Sequence, residues 1–152
     1  MRLSAKADYA LRASLELATA TDAHVKAEAV ARAQSIPLRF LEQILLDLKH
    51  AGLVASQRGA EGGYWLARPP ASITVADIIR AVEGPLASVR GGRPEDVEYA
   101  GSAEPLQRVW IAVRASLRSV VERVTLADLA GGHLAKDIES LAKDPEAWVT
   151  RR

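Results

Sequence analysis

Residues 36–67 read IPLRFLEQILLDLKHAGLVASQRGAEGGYWLA, and the spacing of their apolar side chains decides the fold. Leu38, Leu41, Ile44, Leu45 and Leu48 recur at steps of three and four, the period that gathers side chains on one face of an α-helix. Pro37 suits the start of that helix, where its missing N–H would have no intrahelical partner. Gly52 stands where a left-handed C-terminal cap is wanted, so the helix is expected to run to about residue 51. Residues 53–55 and 64–67 then read as two short strands, and Gly59, Gly62 and Gly63 in their connection permit the positive φ angles of a hairpin.

Working upstream, residues 4–20 carry Ala7, Ala10, Leu11, Leu15, Leu17 and Ala18 at helical spacing, with Ser4 as N-cap. The alanine-rich segment 26–33 has high helix propensity and predicts a short second helix. Three helices followed by a hairpin are the parts of a winged helix. Downstream, residues 68–72 form a stiff Pro-Pro connector, and Thr74 caps a helix over 75–83 with Asp77 at its third position. Gly84-Pro85 ends it, and residues 85–101 show no period and predict an irregular loop. Leu106, Val109, Trp110, Val113, Leu117, Val120, Val121 and Val124 then predict the longest helix, opening at Ser102. Residues 126–142 predict one weaker helix, with a frayed tail beyond. No internal repeat is evident. The expected class is mainly α with a small β-hairpin. Residues 1–83 form the winged helix-turn-helix domain, 84–101 a loop, and 102–145 a dimerisation helix with a C-terminal helix.

Composition narrows the function. Cysteine is absent from the 152 residues, which excludes disulfides, thiol switching and thiolate-held metal sites. His24, His50 and His133 are too far apart in sequence to share one metal-binding element. No cofactor and no metal site is expected. Neither a phosphate-binding glycine loop nor a framed pair of acids is present, so catalysis is not expected. No apolar run is long enough to span a membrane, and Arg2, Lys6, Asp8 and Arg12 interrupt what would be a signal segment; a cytoplasmic protein is expected. The net charge of +1 is uninformative, with nine Lys and Arg against seven Asp and Glu in residues 1–70.

In a helix-turn-helix the second helix of the motif lies in the major groove and its polar side chains read base edges. That role falls to the helix starting at residue 38. Gln43 suits adenine and Arg39 guanine or phosphate, while Glu42 accepts from cytosine or repels other edges. Arg58, flanked by Gln57 and Gly59, sits at the tip of a hairpin sized for a minor groove. Arg2, Lys6, Phe40 and Tyr64 complete the expected DNA-binding set. The winged-helix core needs no further helix, so the stripe from Leu106 to Val124 is expected to bury against the same stripe of a second chain. The competing reading is a winged helix that serves only as a protein-interaction module, motivated by Glu42 and Asp47 on the reading face.

The strings MRLSAKADYAL, IPLRFLEQILLDLKHAGLV and SQRGAEGGYWLARPPASITVADIIRAVEGP closely resemble the Rrf2 family of bacterial regulators, the IscR, NsrR and CymR type, over residues 1–86. The resemblance implies a homodimer with a long dimerisation helix that controls transcription from double-stranded DNA. It also implies a sensor loop, which cluster-binding relatives furnish with three cysteines. Here that loop reads GPLASVRGGRPEDVEYAGSAEP, without cysteine, and Gln107 stands nearest to the family's histidine. Asp8, where some relatives offer a carboxylate to the cluster, cannot hold a [2Fe–2S] centre alone. The expectation is therefore a cluster-free repressor acting on a pseudo-palindromic operator. Its effector, a small molecule or a partner protein, would act at the loop, with Arg90, Arg93, Tyr99 and Trp110 as candidates to line a pocket.

Overall fold

The computed structural model describes residues 2–152. Its elements are α1 (Ala5–Thr19), α2 (Ala27–Gln34), α3 (Leu38–His50), β1 (Val54–Gln57), β2 (Gly63–Leu66), α4 (Val75–Glu83), α5 (Leu106–Val121), α6 (Leu126–Gly131) and α7 (Lys136–Lys143). Short 3-10 turns punctuate the connections. The fold is mainly helical with one antiparallel two-stranded hairpin, as the periodicity predicts. No helix among the described residues is long and apolar enough to cross a membrane.

The core forms where α3 meets α1. Leu41, Ile44, Leu45 and Leu48 are all buried and face Ala10 and Ala13 of α1, which are buried as well. Alanines on α1 let the two backbones approach closely, and each buried leucine contributes about 1.5–3 kcal/mol of transfer free energy. The three-residue turn between α2 and α3 depends on Ser35, which takes the left-handed conformation (φ 52°) and returns its N–H to the Ala31 carbonyl. Ile36 inserts into the core beside it.

The hairpin registers Val54 with Leu66 and Gln57 with Gly63. Val25, between α1 and α2, adds a third edge by exchanging backbone hydrogen bonds with Tyr64 at 2.9 and 2.8 Å. That approach requires glycine. A Cβ on Gly63, whose φ is +149°, would lie 2.8 Å from the Val25 carbonyl oxygen, and one on Gly62 would lie 2.1 Å from the carbonyl oxygen of Gln57.

Beyond α5 the structure departs from expectation. The long helix begins at Leu106 after a 3-10 turn at Gly101–Ala103, and it ends at Val121. Val124 therefore leaves the expected dimer stripe. It is buried within its own chain, and its carbonyl accepts the Val75 N–H at 2.9 Å. The chain then re-enters the winged helix, for Leu126 is fully buried in the same core as α3 and its N–H donates to the Ile73 carbonyl at 2.9 Å. The core is thus not complete within residues 1–83. The single helix expected over 126–142 is two, α6 and α7, because Gly132 adopts a left-handed cap that stops the first.

The re-entry rests on a short repeated string. Ile73-Thr74-Val75-Ala76-Asp77 and Val124-Thr125-Leu126-Ala127-Asp128 each form a capping box. Thr74 and Asp77 exchange bonds of 2.9 and 3.1 Å, Thr125 and Asp128 bonds of 2.9 and 3.0 Å, and the two threonines pair across an antiparallel bridge. Leu126→Ala is expected to destabilise the winged helix by about 2–5 kcal/mol in chemical denaturation, as a core truncation does. A change below about 0.5 kcal/mol would mean that α6 lies outside the cooperative unit.

Candidate nucleic-acid interface

Burial of one face of α3 leaves the other outward. At 100° per residue, Arg39, Gln43 and Leu46 lie within about 60° of one another on that outward face, and all three are exposed. Glu42 and Lys49 stand beside them on the side of the hairpin. Between α3 and the wing lies a cleft of about 520 Å³ whose lining includes Lys26, Glu42, Leu46, Lys49, Arg58 and Tyr64.

Two lysines hold the cleft's walls in place. Lys26 Nζ donates to the Gly59 carbonyl at 2.7 Å, tying the wing tip to the start of α2. Lys49 Nζ donates to Ser56 Oγ at 2.8 Å, tying α3 to β1. On the far side of the wing, His24 stacks on Trp65 with ring centroids 4.3 Å apart, and its Nδ1 lies 2.9 Å from the Glu61 carbonyl oxygen. The wing is therefore fixed at both ends of its loop, which presents Arg58 in one place rather than on a swinging arm. Arg58 has no side-chain partner among the described residues, and its guanidinium faces solvent.

The expected DNA-binding residues divide accordingly. Arg39, Glu42, Gln43, Gln57, Arg58 and Gly59 gather at α3 and the wing, with Tyr64 lining the cleft. Phe40 turns toward α1 and packs edge-on against Tyr9, centroids 5.6 Å apart, with 38% of its surface exposed. Lys6 is bound to Asp47 at 2.8 Å, and Gln43 donates to the same carboxylate at 3.2 Å. The Lys6 hydrogen bond, opposed by partial burial and helped by Gln43, holds the Asp47 carboxyl below its ordinary range. Asp47 is thus a neutralised acid rather than a free negative charge on the reading face. Arg2 lies away from the cleft, in a recess with Ser4, Glu83 and Leu117. Sequence reasoning missed Lys26 and Leu46. The signal for Leu46 was available: it is a leucine off the stripe of Leu41, Ile44, Leu45 and Leu48, 43% exposed and suited to a thymine methyl.

On α5 no residue is buried. Leu106, Trp110, Val113, Leu117, Val120 and Val121 are half-buried and Val109 is 49% exposed, all on one arc of the helix. The effector candidates do not share one pocket. Arg90 and Trp110 line a recess of about 350 Å³, and Arg93 lines another of about 480 Å³. Tyr99 accepts the Trp110 indole N–H at 3.0 Å. Gln107 donates its amide to the carbonyls of Pro94, Glu95 and Val97, at 3.3, 3.1 and 2.9 Å, and so fastens the loop to the start of α5.

This arrangement, a three-residue turn between two helices, an exposed polar helix face and a pinned arginine-tipped wing, defines a winged helix-turn-helix of the DNA-binding type. The comparison with known proteins agrees. A family model described as "Rrf2: Iron-dependent Transcriptional regulator" matches residues 3–132. The chain is 50% identical over its whole length to an HTH-type transcriptional regulator of Mycobacterium tuberculosis, 95% of which is covered. It is 37% identical to CymR of Bacillus subtilis over 86% of this chain and 90% of that one. Among solved structures, CymR, the global cysteine regulator of B. subtilis, superposes with a TM-score of 0.72 at 35% identity, covering 88% of this chain and 99% of that one. T. potens IscR gives 0.68 at 32% identity, covering 100% and 94%. The chain belongs to the Rrf2 family of transcriptional regulators, and its work is DNA binding rather than catalysis.

Iron, which the family description mentions, does not fit the residues present as a cluster. An iron–sulfur centre is held by thiolates, and this chain has no cysteine. Among the described residues no three His, Asp or Glu side chains gather as a metal site, and the Gln107 amide is committed to the loop carbonyls.

Asp47→Asn is expected to release Lys6 toward phosphate, tightening binding to nonspecific DNA about threefold to tenfold and steepening its log–log salt slope by about one. The folded Asp47 carboxyl titrates below its unfolded value. Its contribution to stability is therefore present above the ordinary carboxylate range and is lost as pH falls through the lowered value. The same variant should flatten that limb of the acid-unfolding curve, while costing less than about 1 kcal/mol at neutral pH.

Proposed function

We propose that the protein is a cytoplasmic, cluster-free repressor that binds a pseudo-palindromic operator as a homodimer. The observation that carries this reading is α5, a sixteen-residue helix with an apolar arc and no buried residue. Such a face is costly in water, and a two-fold partner offering the same face covers it isologously. A stable dimer of this kind buries about 800 Å² per chain. The two α3 helices would then address successive major grooves, about 34–36 Å apart, with Arg58 of each wing entering the neighbouring minor groove.

Within each half-site Gln43 and Arg39 read base edges, Leu46 meets a thymine methyl, and Glu42 disfavours edges that present acceptors. Lys26 and Lys49 contribute positive field to the cleft while bracing the wing. Pairing of Asp47 with Lys6 supports direct DNA binding over a role confined to protein contacts, because it removes one of the two acids that weighed against the reading face. An effector, rather than a metal centre, would set affinity through residues 85–101 and the start of α5.

Light scattering on the purified chain should give twice the mass of one protomer, and Val109→Glu with Val113→Glu should give monomers that still fold. On DNA from upstream of its own reading frame, Gln43→Ala should lose about 1–3 kcal/mol of preference for the operator over scrambled sequence. Arg58→Ala should weaken binding about tenfold. A native monomer, or operator affinity untouched by both substitutions, would contradict the proposal.

A further inference from the structure

Four arginines from three separate parts of the chain meet in the recess that contains Arg93. Arg80 comes from α4, Arg93 from the loop, and Arg114 and Arg118 from α5, around a space of about 480 Å³ that Gly84 and Pro85 also line. Two carboxylates answer them. Glu95 pairs with Arg114, and Glu122 pairs with both Arg80 and Arg118, the latter at 3.6 Å. Arg93 has no ion-pair or hydrogen-bond partner for its side chain among the described residues. Four positive charges thus face two negative ones in a concave site, and the surplus has no protein group to absorb it.

Guanidinium groups converging from different elements are unfavourable to bring together unless an anion neutralises them, and their planar forks match carboxylate and phosphate oxygens two at a time. The volume falls in the range of small-metabolite sites. The Glu95 carboxyl is held below its ordinary range, first by its own backbone N–H and then by Arg114, with the field of Arg93 adding to both. It therefore stays ionised and keeps Arg114 positioned, leaving Arg93 and Arg118 as the groups with donors to offer. On α5, Arg114 and Arg118 stand at the edge of the apolar arc, about 20° and 60° around the helix from Val121.

We infer that this recess is a binding site for a small dianion, a dicarboxylate or a phosphate monoester. Resting on the reading of the protein as a DNA-binding dimer, such a ligand also acts as its effector. It would clamp α4, which belongs to the winged helix, to α5, which belongs to the dimer arc, and so set the angle between the two reading heads.

Calorimetric titration of the full chain without DNA, using citrate, glycerol phosphate and inorganic phosphate as probes, tests the site by itself. At least one probe should bind saturably, and the preferred probe distinguishes a carboxylate ligand from a phosphate one. Arg93→Ala and Arg118→Ala should each weaken it tenfold or more, Arg93→Lys should recover part of the loss, and Arg58→Ala at the wing should leave it unchanged. Arg93→Ala is expected to bind operator as the unaltered chain does when no anion is added, and to lose the anion's effect on that binding. No saturable binding of any probe, or equal binding by the Arg93 and Arg118 variants, would overturn the site. A drop in DNA affinity of Arg93→Ala without anion would overturn it too, by assigning the recess to the DNA backbone. Loss of operator binding with anion binding intact would instead strike only at the DNA-binding reading.

Discussion

The contact between α3 and α1 governs the rest. Four branched side chains of α3 are driven into a bed of α1 alanines, and because a helix has only one such face to bury, Arg39, Gln43 and Leu46 have nowhere to go but outward. The candidate reading surface is the complement of the core surface on the same thirteen residues. Nothing else in the molecule needs to aim those side chains. The wing then needs only to be placed beside them, and two glycines make that possible: Gly63 lets β2 lie against Val25, and Gly62 lets the wing turn close on the Gln57 carbonyl, where a Cβ would collide.

A second constraint acts at the other end of the winged helix. The paired capping boxes at Thr74 and Thr125 bring the chain back from α5 and seat Leu126 in the shared core. As a result the end of α5 is anchored to the winged helix by Val124 and Leu126, while at its start the Gln107 amide gathers three carbonyls of the loop. Arg80 of α4 and Arg118 of α5 share Glu122 across the joint between the two helices, and the apolar arc of α5 stays half-buried. The arginine recess lies across that joint.

Much of the fold was legible because it is local. The period of residues 38–48, the cap at Thr74, the turn chemistry around Gly59 to Gly63 and the breaks at Gly84 and Gly52 are each decided within a few residues, and α1 to α4 and the hairpin fall within two residues of where those signals put them. The candidate reading residues were legible for the same reason, since exposure on α3 follows from burial on α3. Val124 was misread because three- and four-residue spacing carries on past the true helix end; the spacing cannot show that residues 122–125 turn back to pair with Thr74. The effector candidates Arg90 and Arg93 are close in sequence, yet the loop's turns put Arg90 in a recess with Trp110 and Arg93 in another.

By itself the amino-acid order determined the winged helix, the exposed polar face of α3 and the absence of thiolate chemistry, because each is a property of residue type and short-range period. Only the tertiary structure decided that Lys6 is spent on Asp47, that Lys26 braces the wing, that α6 completes the core and that Arg80, Arg93, Arg114 and Arg118 converge. Those pairings join residues that lie from about thirty to more than one hundred positions apart, and the distance between two side chains across such a span is set by how the helices pack, which no local spacing encodes.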